Sequence, residues 1–92
     1  PRETPLTSLA DALLRTRARQ NDLAPELIAT RSDLGRIVSS VRRREPEPDV
    51  KTLTGWRREI VGQELLDLLT GNTTLAVGDD LMVEALPRRD RD

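Results

Sequence analysis

Two runs of apolar residues in the first half of the chain recur with the period of an α-helix. One falls at i, i+3, i+4, i+7 and i+8 from Leu6, and the other at i, i+3, i+4 and i+7 from Leu34. Each spacing places one apolar stripe along a helix, so we predict two amphipathic helices. For the first, Thr4 is a candidate N-cap with Pro5 at the first helical position, and Thr7 and Ser8 are candidates for a later start. The second follows Thr30 and runs to about Arg44.

The segment between these two helices is apolar but contains a proline. Pro25 suits only the first turn of a helix, so residues 23–29 are predicted to form a single turn that feeds the core. Asp33 stands three residues after Thr30 and predicts a weak capping box. Arg17 projects near the middle of the first apolar stripe, where it must extend to solvent or find a partner.

Prolines and glycines divide the second half of the chain. Residues 45–49 combine like charges with two prolines, which predicts an exposed connector that continues neither a helix nor a strand. The apolar pattern resumes at Val50, and Gly55 and Gly62 interrupt it, which predicts two or three short helices rather than one. Gly71 and the asparagine after it end the last of these helices.

Near the C-terminus the apolar period changes from helical to alternating. Leu75 and Val77 precede the turn residues 78–80, and Leu81 and Val83 follow them. A three-residue loop there pairs Val77 with Leu81 and Leu75 with Val83 on one face, so we predict a hairpin.

The pattern as a whole predicts a mainly α fold: a compact bundle of about four or five short helices with a small C-terminal β-hairpin. The chain has 92 residues, enough for one domain, which we place at residues 1–86, and residues 87–92 are expected to form a disordered tail. No apolar run is long enough to span a membrane, and the first residues lack the core of a signal peptide, so we expect a cytoplasmic chain. The start at Pro1, with Met82 as the only methionine, indicates an excised part of a longer protein.

The composition excludes most catalytic chemistry. Cysteine and histidine are both absent, which excludes disulfides, Cys/His zinc sites and nucleophilic pairs that depend on histidine. Asp79 and Asp80 are interpreted as turn residues, since an oxygen-ligand cage needs carboxylates from several elements. Glu59 and Glu64 could mimic an acid–base pair, but nothing predicts that either is buried. We therefore expect no catalytic residue, metal or cofactor in this chain.

The charges balance overall but are unevenly distributed. Fifteen basic and sixteen acidic residues give a net charge of −1, which argues against a strongly basic nucleic-acid clamp. Residues 1–44 hold nine arginines against five acids, whereas the rest of the chain is acidic. Every basic residue except Lys51 is an arginine, whose planar fork suits phosphate and carboxylate recognition. The alternative is that the arginines reflect genome composition and a solvated surface.

Two stretches of the sequence resemble one known family. Residues 53–71, with Gly55-Trp56-Arg57 and a second glycine at 62, resemble the closing motif of the C-terminal regions of bacterial ribonuclease D. Residues 13–34 resemble the same family's helix, apolar-Ala-Pro corner and second helix. These regions are HRDC-type modules, small helical bundles appended to helicases and to ribonuclease D. In the family the exonuclease chemistry belongs to a separate domain that holds two metal ions on Asp and Glu residues.

The resemblance implies an auxiliary nucleic-acid-binding domain of a 3′–5′ exoribonuclease, which helps to position the 3′ end of the substrate. Binding to RNA or single-stranded nucleic acid would be weak and salt-sensitive, because each neutralised phosphate releases counterions. The alternative is a non-catalytic docking or scaffolding domain that binds its own nuclease domain in cis or a protein partner. The residues expected to contact nucleic acid are Arg36, Arg42, Arg43, Lys51, Arg57 and Arg58.

Trp56 is the only aromatic residue of the chain. As its largest apolar side chain, it is expected to anchor the core, and stacking of a nucleic-acid base on the indole is the alternative. Arg57 and Arg58 follow it at the start of a predicted helix, where they can reach phosphates or pair with acids such as Glu59 or Asp49.

Overall fold

The computed structural model describes residues 2–89. Its helices are α1 (Thr4–Gln20), α2 (Pro25–Ile28), α3 (Arg31–Arg42), α4 (Gly55–Arg57) and α5 (Gln63–Leu69), with a 3-10 turn at Lys51–Leu53 and a π-helical turn at Arg58–Gly62. An antiparallel hairpin of β1 (Thr73–Val77) and β2 (Val83–Pro87) follows. The predicted fold class, a mainly α bundle with a small C-terminal hairpin, is confirmed. Within residues 2–89, no helix is both long enough and apolar enough to cross a membrane.

Signals local to the sequence set the starts of α2 and α3. The Thr30 hydroxyl accepts a hydrogen bond from the Asp33 N–H at 3.1 Å, and the Asp33 carboxylate accepts one from the Thr30 N–H at 2.8 Å. The predicted capping box is therefore present, and α2 is the single turn that Pro25 predicts. Helix α1 begins one residue earlier than predicted, because Thr4 is already helical and Glu3 occupies the N-cap position.

Three helices end on the same backbone motif, in which one residue adopts the left-handed conformation. Asp22, Arg44 and Gly71 have φ values of 54°, 56° and 84°. In each case the next residue donates its N–H to the carbonyl five positions back, at 2.9, 2.8 and 2.8 Å respectively. This is the Schellman arrangement, and it satisfies carbonyls that the helix end leaves open. Helix α3 therefore ends at Arg42, two residues before its predicted end.

Gly62 does not divide the last helix, contrary to the prediction. Helix α4, the π-helical turn and α5 run on without a break over residues 55–69, which we call the long C-terminal helix. Gly62 is buried, and a Cβ atom added there would lie 2.2 Å from the carbonyl oxygen of Thr52. The glycine is required because the 3-10 turn packs directly onto the helix backbone.

The core lies between α1, α2, the start of α3 and the long C-terminal helix. Its largest fully buried apolar side chains are Leu13, Leu14, Ile28, Val61 and Leu65. A second buried cluster joins Ile37 of α3 to Val50 and Leu53, next to the connector. Thr52 is fully buried between these parts, and its hydroxyl donates to the Ile28 carbonyl at 3.0 Å.

Trp56 is not the core anchor that its size predicts. Its side chain is 44% exposed, since it stands in the first turn of the long C-terminal helix and aliphatic side chains fill the core. The guanidinium carbon of Arg57 lies 4.3 Å from the centroid of the indole ring, within the range of a cation–π contact.

The hairpin has a different register from the predicted one. Val77 pairs with Val83 and Leu75 with Ala85, so the loop holds five residues instead of three. Leu81 lies in this loop with a φ of 63° and is exposed. Because the shift is an even number of residues, the predicted face is kept, and Leu75 and Ala85 pack against the core.

Strand pairing also continues beyond the predicted domain end at residue 86. Strand β2 runs to Pro87, and the N–H of Arg88 donates to the Asn72 carbonyl at 2.9 Å. Residues 90–92 of the predicted tail lie outside the described residues.

Candidate functional site

Helix α3 and its C-cap carry four arginines. Leu34, Ile37 and Val38 form the core side of the helix. At about 100° per residue, Arg36 and Arg43 project away from that side, whereas Arg31 and Arg42 flank it. Small residues at positions 32, 35 and 39 lie between the arginines along the helix. All four arginine side chains are exposed, and together they define the arginine face: Arg31, Arg36, Arg42 and Arg43.

Three of the four guanidinium groups on the arginine face have no carboxylate partner. Within residues 2–89, Arg31, Arg36 and Arg43 form no ion pair, although Arg36 donates a long 3.4 Å hydrogen bond to the Asp49 carbonyl. Arg42 pairs with Glu3 at the start of α1. The hydrogen bonds that Glu3 accepts from Arg42 and Ser39 lower the pKa of its carboxyl.

A cleft of about 870 Å³ opens between this face and the first half of α1, and we call it the α1–α3 cleft. Both apolar and charged residues line it. Apolar lining comes from Leu14, Pro25, Ala29 and Leu34, and basic lining from Arg2, Arg15, Arg31, Arg42 and Arg43. The acidic residues of the lining are Glu3, Asp11 and Glu26, so arginines outnumber acids five to three.

Lys51 borders the arginine face from the 3-10 turn. Its Nζ lies 3.4 Å from the carboxylate of Asp33, one turn before Arg36 on α3. Burial raises the pKa of Asp33, but the hydrogen bonds from Thr30 and the charge of Lys51 outweigh it, so the net effect lowers this pKa. Lys51 is therefore close to Arg36 but already neutralised by a capping carboxylate.

Arg57 and Arg58 lie away from the arginine face. The Nε of Arg57 donates to the Leu27 carbonyl at 2.8 Å while the guanidinium covers the Trp56 ring. Arg58 donates to both carboxylate oxygens of Glu47, at 2.7 and 3.1 Å. The hydrogen bond between them raises the pKa of Arg58 and lowers that of Glu47. Folding thus separates the six predicted contact residues into α3, its border and the start of the long C-terminal helix.

The structure adds arginines that the sequence argument did not select. Arg31 stands eleven residues before Arg42, which is about three helical turns, so periodicity alone could have placed both on one face. Arg2 and Arg15 join the cleft only because α1 packs across α3, and nothing local to the sequence indicates this.

Arg17 forms an ion pair with Glu64 instead of extending to solvent. Its Nε and one terminal nitrogen donate to the two carboxylate oxygens of Glu64, at 2.7 and 2.8 Å. The hydrogen bond with Glu64 raises the pKa of Arg17. This pair joins α1 to α5 and lies apart from the arginine face. In the part of the chain that the structure describes, no three acidic side chains converge to hold a metal ion.

The sequence is similar to proteins named ribonuclease D from several bacteria. It is 43% identical to the protein of Granulibacter bethesdensis over 72 residues, which are 78% of this chain and 17% of that protein. It is 40% identical to the protein of Gluconacetobacter diazotrophicus over 88 residues, or 95% and 21% of the two chains. For Zymomonas mobilis the identity is 35% over 72 residues, or 78% and 17%. No family model and no solved structure matches the chain.

The chain spans about a fifth of the length of the curated relatives that it matches. The resemblance drawn from residues 13–34 and 53–71 is therefore confirmed. The chain corresponds to a small part of a ribonuclease D rather than to the whole enzyme, as expected for an appended domain.

Proposed function

We propose that this chain, which is homologous to a small segment of ribonuclease D, is an auxiliary nucleic-acid-binding domain of a cytoplasmic 3′–5′ exoribonuclease. The arginine face holds the phosphates of RNA or another single strand and helps to position the 3′ end. The cleavage itself takes place in a nuclease domain of the parent chain.

The observation that carries this proposal is the set of unpaired arginines on α3. Arg31, Arg36 and Arg43 are exposed and have no carboxylate within ion-pair distance among the described residues. A guanidinium group can donate two parallel hydrogen bonds to phosphate oxygens, so each of these three arginines is free to bind a phosphate. Phosphate contacts of this kind position a strand without reading its sequence.

The other predicted contacts take part less directly. To bind a phosphate, Arg42 must first break its ion pair with Glu3, and Lys51 must break its ion pair with Asp33. Arg57 keeps terminal nitrogens for a ligand while its Nε holds Leu27. Arg58 is the least available, because Glu47 and Gln63 occupy its donors. Binding is therefore weak at physiological salt and strengthens as the salt concentration falls.

The test is a salt titration of binding to a labelled single-stranded RNA, followed by fluorescence anisotropy. In a triple variant, Arg31, Arg36 and Arg43 are replaced by glutamine. Each lost phosphate contact lowers the salt slope by about 0.7, so we expect the slope to fall by about 2. A matched triple variant at Arg19, Arg88 and Arg89 makes the same change of charge at exposed positions off the arginine face. If the two triple variants bind alike, the arginine face is not the binding surface.

A docking role is the second candidate, and the exposed apolar residues beside Arg57 favour it. Leu27 is 53% exposed and Trp56 44% exposed, and Arg57 contacts both residues. A rim of charge around exposed apolar side chains suits a protein partner such as the nuclease domain. With Arg57 and Arg58 both changed to glutamate, intact strand binding together with lost attachment to the nuclease domain would support docking at this surface.

A further inference from the structure

We infer that Ser39 and Arg42 of α3 form an oxyanion site for one phosphate of the nucleic acid, and that the carboxylate of Glu3 occupies this site in the free chain. This inference rests on the proposed function. It adds Ser39 to the phosphate contacts and makes Glu3 an internal competitor that the strand must displace.

Two donors on α3 hold one oxyanion at this site. Ser39 and Arg42 are three residues apart, so their side chains are neighbours on the helix surface. The Ser39 hydroxyl donates to one carboxylate oxygen of Glu3 at 2.8 Å, and Nε of Arg42 donates to the other. A phosphodiester also offers two free oxygens on one atom, and arginine binds both kinds of anion through charge-assisted hydrogen bonds. The Glu3 carboxylate therefore stands where a phosphate can be bound.

A second guanidinium group acts on the same site. Hydrogen bonds from Arg42 and Ser39 lower the pKa of the Glu3 carboxyl, and the charge of Arg43 adds to this effect. Arg43 forms no ion pair within residues 2–89. Glu3 brings a single carboxylate, whereas a strand brings several phosphates, and those bound to unpaired arginines nearby keep the next phosphate at high effective concentration beside the site. The strand can therefore displace Glu3, although a carboxylate and a phosphodiester carry the same charge.

The Glu3 side chain can leave the site while α1 stays folded. The first turn of α1 is fixed through the backbone of Glu3, whose carbonyl accepts hydrogen bonds from the N–H and the hydroxyl of Thr7, both at 2.9 Å. The side chains of Glu3 and Arg42 are 28% and 36% exposed, so water reaches both once they separate. Because an ion pair this exposed is weak, the competition lowers affinity by about two- to fivefold and does not abolish binding.

The test is a double-mutant cycle on the affinity for a labelled single-stranded RNA at low salt, followed by fluorescence anisotropy. Glu3→Gln should raise the affinity by about two- to fivefold. Arg42→Gln should cost about two- to fivefold more affinity in the Glu3→Gln chain than in the unaltered chain, where Glu3 already occupies the guanidinium group. Ser39→Ala should likewise weaken binding more when Glu3→Gln is present.

The matched control is Glu26→Gln. Glu26 is exposed, lines the same cleft and forms no ion pair within the described part of the chain. This variant removes the same charge, so its gain in affinity reports net charge alone and should be the same with and without Arg42→Gln. If Glu3→Gln loses helicity by circular dichroism, Glu3→Asp replaces it, because aspartate suits an N-cap and keeps the charge but is one methylene shorter.

The outcomes separate this inference from the proposed function. A gain from the Glu3 variant no larger than that from Glu26→Gln, or an equal cost of Arg42→Gln in both chains, would overturn the inference and leave the arginine face standing. Absence of salt-sensitive binding by the unaltered chain would instead overturn the proposed function.

Discussion

Two glycines inside helices show how differently one residue type can be constrained. Gly62 packs against the backbone of Thr52, whereas a Cβ added to Gly35 meets no atom within 4 Å. The first glycine is required by a contact between segments, and the second is required by nothing in the fold. Gly35 therefore affects stability only through the entropic cost of fixing a flexible residue in a helix.

Alanine substitutions at these two glycines should therefore have opposite effects. We expect Gly62→Ala to lower the free energy of unfolding by about 1–3 kcal/mol, because the new methyl group forces the 3-10 turn away from the helix. Gly35→Ala should raise it by about 0.5–1 kcal/mol through its better helix propensity. Urea denaturation followed by circular dichroism measures both. A neutral Gly62→Ala would mean that the 3-10 turn does not pack as closely as described.

At the scale of elements, the end of α3 contains a strained residue. Arg44 occupies the left-handed position of its Schellman motif, where most helices place glycine. A side chain in this conformation costs about 1–2 kcal/mol relative to the right-handed one. We expect Arg44→Gly to raise the free energy of unfolding by about 1 kcal/mol, measured as a higher urea midpoint.

The neighbouring arginine provides the control for that substitution. Arg43 has a φ of −88°, which any residue can adopt, so Arg43→Gly removes the same kind of side chain without relieving strain. It should leave stability unchanged or lower it. Equal gains from both variants would show that the loss of positive charge, and not the backbone conformation, is responsible.

The elements that could be predicted from the sequence are those that residues within about one helical turn of each other determine. The capping box of Thr30 and Asp33 and the single turn at Pro25 need no contact from elsewhere in the chain. The need for glycine at position 62 arises from the contact with Thr52, ten residues away, and no local pattern reports it. The predicted hairpin register was wrong for a related reason. Leu81 adopts a left-handed backbone conformation, which the rules for turn residues assign to glycine.

At the scale of the whole molecule, three carboxylates connect segments that are distant in sequence. Glu3 joins α1 to α3, Asp33 joins α3 to the 3-10 turn, and Glu47 joins the connector to the long C-terminal helix. The pKa of each is lowered in the folded chain, chiefly by hydrogen bonds from Arg42 for Glu3, from Thr30 against burial for Asp33, and from Arg58 for Glu47.

These lowered pKa values predict a loss of stability in acid. The unfolded chain binds protons at the ordinary values of 4.5 for Glu and 3.8 for Asp, and the folded chain only below them. The stabilisation is therefore complete above about pH 5 and is lost as the pH falls through the folded pKa values. The urea midpoint should be lower at pH 3 than at pH 7, and Asp33→Asn should narrow the difference. If the difference between the urea midpoints at pH 3 and pH 7 is the same in this variant, Asp33 does not contribute to the loss of stability in acid.

The candidate site could be predicted in part at this scale. Arg36 and Arg43 are seven residues apart, so helical periodicity, which is readable from the sequence, places them on the same side of α3 and its C-cap. The cleft beside that face depends on how α1 crosses α3, which the sequence does not report. Arg57 and Arg58 were selected because they follow Trp56, but in the fold the Leu27 carbonyl occupies the Nε of Arg57 and the Glu47 carboxylate occupies both terminal nitrogens of Arg58.

The half-exposed indole has a practical consequence for work on this protein. With no tyrosine or phenylalanine in the sequence, all of its near-ultraviolet absorption and intrinsic emission comes from one ring. That ring is already partly exposed to solvent in the native state and lies under a guanidinium group, so the wavelength of its emission maximum should shift little when the chain unfolds. The same ring is well placed to signal any partner that settles on the first turn of the long C-terminal helix, with no added dye.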